Sequence, residues 1–397
     1  MAGVSRNGII NAEDCVYPAE SRSRISERCG FMKTAKRVLI AMSGGVDSSV
    51  AALLLQEQGY ECIGCHMKLH TAEGDSEAAE RGCCSLDDAE DARSVAFRLG
   101  MPFYVFNLAD CFQENVIDPF VRSYERGWTP NPCIDCNRFL KFEKLYERAQ
   151  ALSCDYIATG HYARITETGG EYYLRKASDP SKDQSYVLYT LTQEELKRTL
   201  FPLGGMNKDE VRQLAEAHGF LNARKPDSQD ICFVPDGDYA AYIERNTGKR
   251  YPEGDFIDRR GNVLGRHRGV IHYTVGQRRG LGVSAKTRLY VAGIDPVMNT
   301  VTLAEEENFQ VDTVFAERVS TVSGAPLKER RRVLVKLRYR QKEMPATAYM
   351  EETRLTILLD SLQRAPAPGQ AAVLYDLDGE TVLGGGTITG SERRKDL

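Results

Sequence analysis

The chain has 397 residues, of which 42% are hydrophobic and 27% charged, with a formal net charge of -4. That length allows about two or three domains with cores of their own, and the mild acidity excludes a chain-wide electrostatic grip on nucleic acid while leaving room for local basic patches. No apolar run approaches the roughly 20 residues a membrane-spanning helix needs, so the expectation is a cytoplasmic protein with no membrane partner.

Residues 1–32 are polar, mixed in charge and without periodicity, and read as a disordered extension or as an artefact of start assignment, with Met32-Lys33 as the alternative beginning. Glu13, Asp14, Glu20 and Glu27 argue against a transit peptide. From Lys36 the pattern becomes regular. RVLIAM is a short apolar run suited to a buried parallel strand; SGGVDSS follows, and then SVAALLLQEQG, whose Val50, Leu53 and Leu54 suit a helix with one buried face. YECIGCHMKL reads as a second strand, LDDAEDARSVAFRLG as a helix ending at Gly100, and PFYVFNL as a third strand. After NPCIDCN, FLKFEKLYERAQAL reads as a helix and DYIATGHYARI as a fourth strand. Strands alternating with helices imply an α/β fold with a doubly wound parallel sheet, expected over 33–220, that binds ligands at the carboxyl ends of its strands.

NKDEVRQLAEAHGF is a helix with an Asn207/Glu210 capping-box pattern. KPDSQDICF then opens a loop-rich, Gly- and Arg-rich stretch, expected as a small central domain over 221–285. From Thr287 the reading is nearly all β. RLYVAGIDPVMNTVTLA looks like a hairpin, and RVLVKLRY, TILLD, QAAVLYD and TVLGGGTIT follow at short intervals, which suggests a β-barrel or sandwich over 286–397.

SGGVDSS, between a buried strand and a helix, combines unsatisfied backbone N–H groups with the positive end of the helix dipole, an anion site. Gly44 and Gly45 let the backbone approach a phosphate, while Ser43, Ser48 and Ser49 offer hydroxyls. The Gly-Lys-Ser/Thr ending of a Walker A loop is missing. Without that lysine, cleavage between the α and β phosphates is the expectation; the bland alternative is a Gly turn capped by Ser. SGGVDSS after a strand resembles the pyrophosphatase loop of the adenylating ATP enzymes that include GMP synthetase, argininosuccinate synthetase and the tRNA thiolases. That resemblance implies activation of a carbonyl-type oxygen as an adenylate, from which ammonia, an amino group or sulfur displaces AMP.

Eleven cysteines in a chain without a secretory signal point to functional thiols rather than a disulfide framework. Sulfur transfer needs one thiol to carry a persulfide and a second to release it by disulfide formation. Cys136 lies just before a helix expected to begin near Arg138, a position that favours thiolate. Cys232, flanked by Asp227, Asp230 and Asp236, is the candidate second thiol. Cys62 and Cys65 also form a Cys-x-x-Cys, but inside a strand, where that spacing sends them to opposite faces of the sheet and gives them core roles. Cys111 and Cys154 read as buried, Cys83 and Cys84 precede a helix, and Cys15 and Cys29 lie in the extension.

MSGGVDSSVAALLL, TPNPCIDCNRFLKF, ATGHYARI, KDQSYVLYTL, FPLGGMNKDEVR, KPDSQDICF, HRGVIHYTVGQRRGLGV, LRYRQ and PGQAAVLYD…VLGGG, in this order from about Lys36 to Gly386, resemble the bacterial and organellar tRNA-specific 2-thiouridylases. The resemblance implies ATP-dependent exchange of oxygen for sulfur at C2 of the wobble uridine in tRNAs for Lys, Glu and Gln. It implies an adenylating domain, a central tRNA-contacting domain and a C-terminal β-barrel. ATP, with Mg²⁺, would meet Ala41, Met42, Ser43, Gly44, Gly45, Val46, Asp47, Ser48, Met67 and Gly160. The target base would meet Asn131, Pro132 and Cys133, and tRNA would touch His161, Lys182, Asp183, Gln184, Arg338, Tyr339, Arg340 and Gln370. Cys136 would be the nucleophile and Cys232 the persulfide carrier that ends in a disulfide with it, loaded by a sulfur-donor protein, a cysteine desulfurase or a relay. The arginines from Arg259 to Arg288 and from Arg330 to Arg340, by themselves a solvated surface, gain an anionic partner in tRNA.

The better-known form of the family carries Asp where this chain has Cys133, which removes an acid/base or base-positioning carboxylate. Cys133, Cys136 and Cys232 then offer an alternative for the same reaction, a [4Fe–4S] cluster with one open iron that delivers sulfide. From other classes, an amide-forming adenylating synthetase explains the loop but not the thiols, and a non-enzymatic tRNA-binding protein with a zinc knuckle explains the Cys-x-x-Cys but leaves SGGVDSS idle.

Overall fold

RVLIA, with four of its five residues buried, forms strand β1 (Arg37–Ala41) at the centre of a parallel sheet. The structure, a computed structural model, describes residues 35–69, 86–226, 231–234 and 236–394. The expectations for the extension, for Cys15, Cys29, Cys83 and Cys84, and for Asp227 and Asp230 lie outside the described residues. On one side β1 pairs with β2 (Glu61–Lys68), which pairs with β3 (Phe103–Asn107); on the other it pairs with β4 (Tyr156–Ala158), which pairs with β7 (Thr199–Leu200). The order β3-β2-β1-β4-β7 reverses direction between β1 and β4. A crevice opens at the carboxyl ends of strands at such a reversal.

Helices α1 (Val46–Glu57) and α2 (Leu86–Arg98) cover one face of the sheet through Val50, Leu53, Val95 and Ala96. The other face meets a helix running from 132 to 151, α4, through Phe142, Leu145 and Ala149. Between them in sequence lies α3, a helix over 109–125 whose middle turn has π geometry. Cys62 belongs to the first core and Cys65 to the second, as their strand spacing predicts.

Two expectations along this unit are corrected. DYIATGHYARI is not one strand: the chain leaves the sheet after Ala158, and Ala163–Thr168 (β5) instead pairs with Glu171–Lys176 (β6) in a hairpin. The departure occurs where Gly160 passes against the first turn of α1, an approach that a side chain would block. The helix after NPCIDCN starts at Pro132, not near Arg138. Pro132 occupies a first-turn position that needs no N–H, and the Asn131 side chain caps the turn by accepting from the Cys133 N–H. A short helix α5 (Gln193–Lys197) precedes β7, and α6 (Lys208–Ala217) carries the expected capping box between Asn207 and Glu210.

After α7 (Tyr239–Thr247) the strands β8 (Gly254–Ile257), β9 (Val263–His267), β10 (Leu289–Asp295) and β11 (Thr300–Glu305) form one sheet in the order β10-β11-β8-β9. The hairpin expected at the start of the C-terminal unit therefore pairs with β8. The closed barrel begins beyond it, with β12 (Gln310–Thr321), β13 (Arg331–Lys336), β14 (Met344–Glu351), β15 (Arg354–Arg364), β16 (Ala371–Tyr375) and β17 (Val382–Glu392) in the order β12-β15-β14-β13-β16-β17. Closure leaves this sheet without an edge to pair with another chain. Phe112, Phe120 and Leu140 from α3 and α4 share one apolar cluster with Phe233, Ile243, Phe256 and Leu303. Among the described residues no helix is long and apolar enough to cross a membrane.

Candidate active site

β1 ends at Ala41 and α1 begins at Val46, with Gly45 as an extended N-cap that makes no side-chain cap hydrogen bond. The first-turn N–H groups of α1 thus stand at the crevice between β1 and β4, the arrangement that binds phosphate. Gly44 has φ 77°, and a side chain there would run into the backbone of Asp88. A Cβ on Gly160 would lie 2.8 Å from the Ser48 nitrogen. Met67, near the end of β2, is half-buried beside the same strand ends. Ala41 through Ser48, Met67 and Gly160 are therefore brought together.

The serine hydroxyls do not all face the crevice. Ser48 Oγ accepts from the Ser43 N–H at 3.2 Å and donates to the Gly45 carbonyl at 3.1 Å, and the Ser49 hydroxyl donates to the same carbonyl at 3.0 Å. They hold the loop's shape. Residues far along the chain, which sequence reasoning missed, hold it from behind. Lys208 Nζ is 2.8 Å from each Asp47 carboxylate oxygen, and the Tyr162 hydroxyl donates to Asp47 Oδ1 at 2.7 Å. Asn222 Nδ2 donates to the Gly44 carbonyl at 2.9 Å and to Ser49 Oγ at 3.0 Å. Lys225, at the base of the Cys232 segment, bridges Asp88 at 2.7 Å and Asp91 at 2.6 Å. The one local signal was Lys208, directly after the Asn207 cap.

On α4, Cys133 is exposed near the helix start, and Cys136 lies one turn further in and is half-buried. Cys136 and Cys232 both pack against the apolar cluster that contains Phe112, Phe120, Leu140 and Phe233. The described cysteines are thiols, not disulfides. Burial pushes the Cys62 and Cys154 thiols up to about 11 and Cys65 further still, which leaves these three inert. Cys111 is half-buried rather than fully buried. Asp135 lines a hollow with Arg318, Arg122 and Glu114, where burial pushes its carboxyl up against the pull of Arg318 and Arg138.

The residues expected to touch tRNA divide into two groups. Lys182 is half-buried, and Arg338, Tyr339 and Arg340 are exposed. Arg338 and Arg340 line a cavity of about 480 Å³ together with Arg364. Asp183, Gln184 and Gln370 hold backbone groups, while His161 bonds a side chain. Asp183 is buried and accepts from the Ala177 and Ser185 N–H groups at 3.1 and 3.2 Å. Gln184 Oε1 accepts from the Tyr162 N–H at 2.9 Å, and Gln370 Nε2 donates to the Thr129 carbonyl at 2.8 Å. His161 is only 8% exposed, lies 2.7 Å from Thr159 Oγ1 and packs against Phe142 and Phe201. Burial first, and the Lys141 charge second, drive its pKa well below the usual value, so the ring is a packed, neutral imidazole.

Among the described residues no three His, Cys, Asp or Glu side chains are gathered where they could hold a metal ion.

Residues 36–236 match the tRNA methyl transferase HUP domain, 240–305 the tRNA methyl transferase PRC-barrel domain and 311–388 the aminomethyltransferase beta-barrel domain. The tRNA-specific 2-thiouridylase MnmA of Clostridioides difficile is 48% identical over 356 residues, covering 89% of this chain and 98% of the relative. That of Acetivibrio thermocellus is 48% identical over 357 residues, with 89% and 99% covered. The chain belongs to the tRNA-specific 2-thiouridylase family. Among solved structures, a 4-thiouridine synthetase–RNA complex with bound ATP aligns at TM-score 0.30 and 19% identity, over 50% of this chain and 45% of that one. The matched range 36–236 contains the phosphate loop, the α4 cysteine pair and Cys232, and the matched range 311–388 contains Gln370.

Proposed function

We propose that this chain is an ATP-dependent tRNA-uridine 2-sulfurtransferase that works through a persulfide on Cys232 and the thiol of Cys136. The observation that carries the reading is that these two cysteines, far apart in sequence, are both half-buried and pack against the same apolar cluster. The phosphate loop binds ATP, and the uracil O2 attacks the α-phosphorus, releasing pyrophosphate and leaving C2 activated. A sulfur-donor protein loads Cys232 as a persulfide. Its terminal sulfur bonds to C2, Cys136 thiolate attacks the Cys232 sulfur and breaks the sulfur–sulfur bond, and AMP departs with the former O2. The products are 2-thiouridine and a Cys136–Cys232 disulfide, which an external dithiol reduces before the next cycle. Release of the same sulfur as hydrosulfide by Cys136, followed by attack on C2, gives the same balance.

Asn131, Pro132 and Cys133, at the start of α4, are the residues that would meet the base, and the exposed Arg338, Tyr339 and Arg340, with the half-buried Lys182, would supply polar and cationic groups for RNA. Mg²⁺ would neutralise phosphate charge at the loop. The test is incubation with ATP, a persulfide donor and unmodified tRNA for Lys, Glu or Gln, followed by nucleoside analysis. The expected product is 2-thiouridine with AMP; AMP without sulfur incorporation would instead support an amide-forming synthetase.

A further inference from the structure

Three parts of the chain meet on Thr129, two residues before the Asn131 cap of α4. Its N–H donates to the Pro368 carbonyl at 2.7 Å, and its carbonyl accepts from Gln370 Nε2 at 2.8 Å. Its hydroxyl lies 3.1 Å from Thr274 Oγ1. Pro368 and Gln370 come from the loop that enters β16 of the barrel, and Thr274 follows β9 of the central sheet. Between Pro368 and Gln370, Gly369 has φ 92°, and a Cβ there would lie 3.0 Å from the Thr129 carbonyl carbon. The barrel loop is itself rigidly seated: the Gly369 N–H donates to the Ile388 carbonyl and the Ile388 N–H to the Gln370 carbonyl, each at 2.8 Å.

A residue whose N–H and C=O are both held by one loop, and whose side chain is held by another element, is fixed in place and orientation. The chain then needs only Pro130 to reach Asn131. The Gln370 amide, which also lies 3.4 Å from the Pro130 carbonyl, faces two consecutive carbonyls of this segment. We propose that Thr129 is the joint through which the barrel and the central sheet set the position of Asn131–Cys136, and that Thr129, Gly369 and Gln370 are positioning residues for sulfur transfer. This rests on the reading of α4 as the place where base and thiol meet. A displacement of about 1 Å at a reacting centre costs about a hundredfold in rate, so a loosened joint reaches the chemistry without touching the RNA.

The test uses the full-length protein with Gln370→Met, Thr129→Val and the conservative Thr129→Ser. It measures single-turnover 2-thiouridine formation at saturating ATP and tRNA, equilibrium tRNA affinity, and the emission of Trp128, the sole tryptophan of the chain and the neighbour of Thr129. The expected result is a fall of about tenfold or more in the Gln370→Met rate and about threefold in Thr129→Val, with Thr129→Ser near the unaltered rate, tRNA affinity within about twofold throughout, and a shifted Trp128 emission in the impaired variants. Weakened tRNA affinity with an intact saturated rate would make Gln370 an RNA contact and overturn the proposal, as would rates unchanged in all three variants. No 2-thiouridine from the unaltered protein would overturn the thiolation reading, and the joint with it.

Discussion

The Lys208 ammonium lies 2.8 Å from both carboxylate oxygens of Asp47, the second residue of α1, and anchors the phosphate loop to α6. The Lys208 side chain is 9% exposed and that of Asp47 31%, so the pair is partly withdrawn from water and its loss leaves a carboxylate with Tyr162 as its remaining partner among those described above. Lys208→Met is expected to lower stability by about 1–3 kcal/mol. It is also expected to weaken ATP binding by about tenfold, because the first turn of α1 loses its seat. Adding Asp47→Asn should recover part of the stability but not the ATP affinity. Thermal unfolding with and without ATP measures both effects.

Gly160→Ala tests the crevice itself. The new methyl would sit 2.8 Å from the Ser48 nitrogen and 2.9 Å from the Asp47 carbonyl carbon, backbone atoms that cannot swing aside as a side chain can. The phosphate loop has to shift. ATP affinity is expected to fall by about tenfold or more while tRNA binding is retained, since the exposed arginines lie elsewhere. Titrating ATP and tRNA separately into the variant distinguishes this from general unfolding, which would lower both.

His161 gives the fold a pH dependence of known sign. Its folded pKa lies well below 6.5, whereas an unfolded chain binds that proton near 6.5. Below that pH the unfolded state carries more protons, so the contribution of His161 is fully present above about 6.5 and is lost as pH falls through 6.5 toward the folded pKa. His161→Gln is expected to flatten the unfolding free energy against pH between about 5 and 6.5, by up to about 1.4 kcal/mol per pH unit for one proton. Urea unfolding at several pH values reads the slope; equal slopes in both proteins would show that His161 titrates in the folded state.

Alkylation of the native protein should separate its thiols by exposure. Cys133 is exposed and is expected to react first, while Cys62, Cys65 and Cys154, buried and with raised pKa values, should stay unmodified until the chain unfolds. Peptide mapping after brief iodoacetamide treatment reads the order. Labelling of Cys154 as fast as Cys133 would contradict it.

What the sequence made legible is what short segments encode. The VLIA of β1 is apolar because it is covered on both faces, the two-residue period separates Cys62 from Cys65, and the Asn207/Glu210 box starts α6 where expected. The phosphate loop was legible because a strand, two glycines and a helix start are adjacent in the chain. Boundaries decided by distant partners were not. The fourth strand ends early because Gly160 lies against α1, and the 289–305 hairpin joins β8 because of a pairing no local pattern announces. The same holds for the residues behind the site: the Lys208–Asp47 pair spans 161 positions and the Gln370–Thr129 bond 241, and neither leaves a periodic trace. Cys133 is legible in the sequence as a departure from the pattern, but that Asp135 lines a hollow with Arg318 and Arg122 is visible only in the fold.

The central claim is that sulfur reaches the base through Cys232 and Cys136. The most direct measurement is a single turnover with persulfide-loaded protein, ATP and unmodified tRNA, quenched in acid and followed by peptide mapping and nucleoside analysis of the same sample. The account predicts a Cys136–Cys232 disulfide formed in step with 2-thiouridine, and neither product from Cys136→Ser or Cys232→Ser. Undiminished 2-thiouridine from either serine variant, or thiolation with both thiols left reduced, would contradict it.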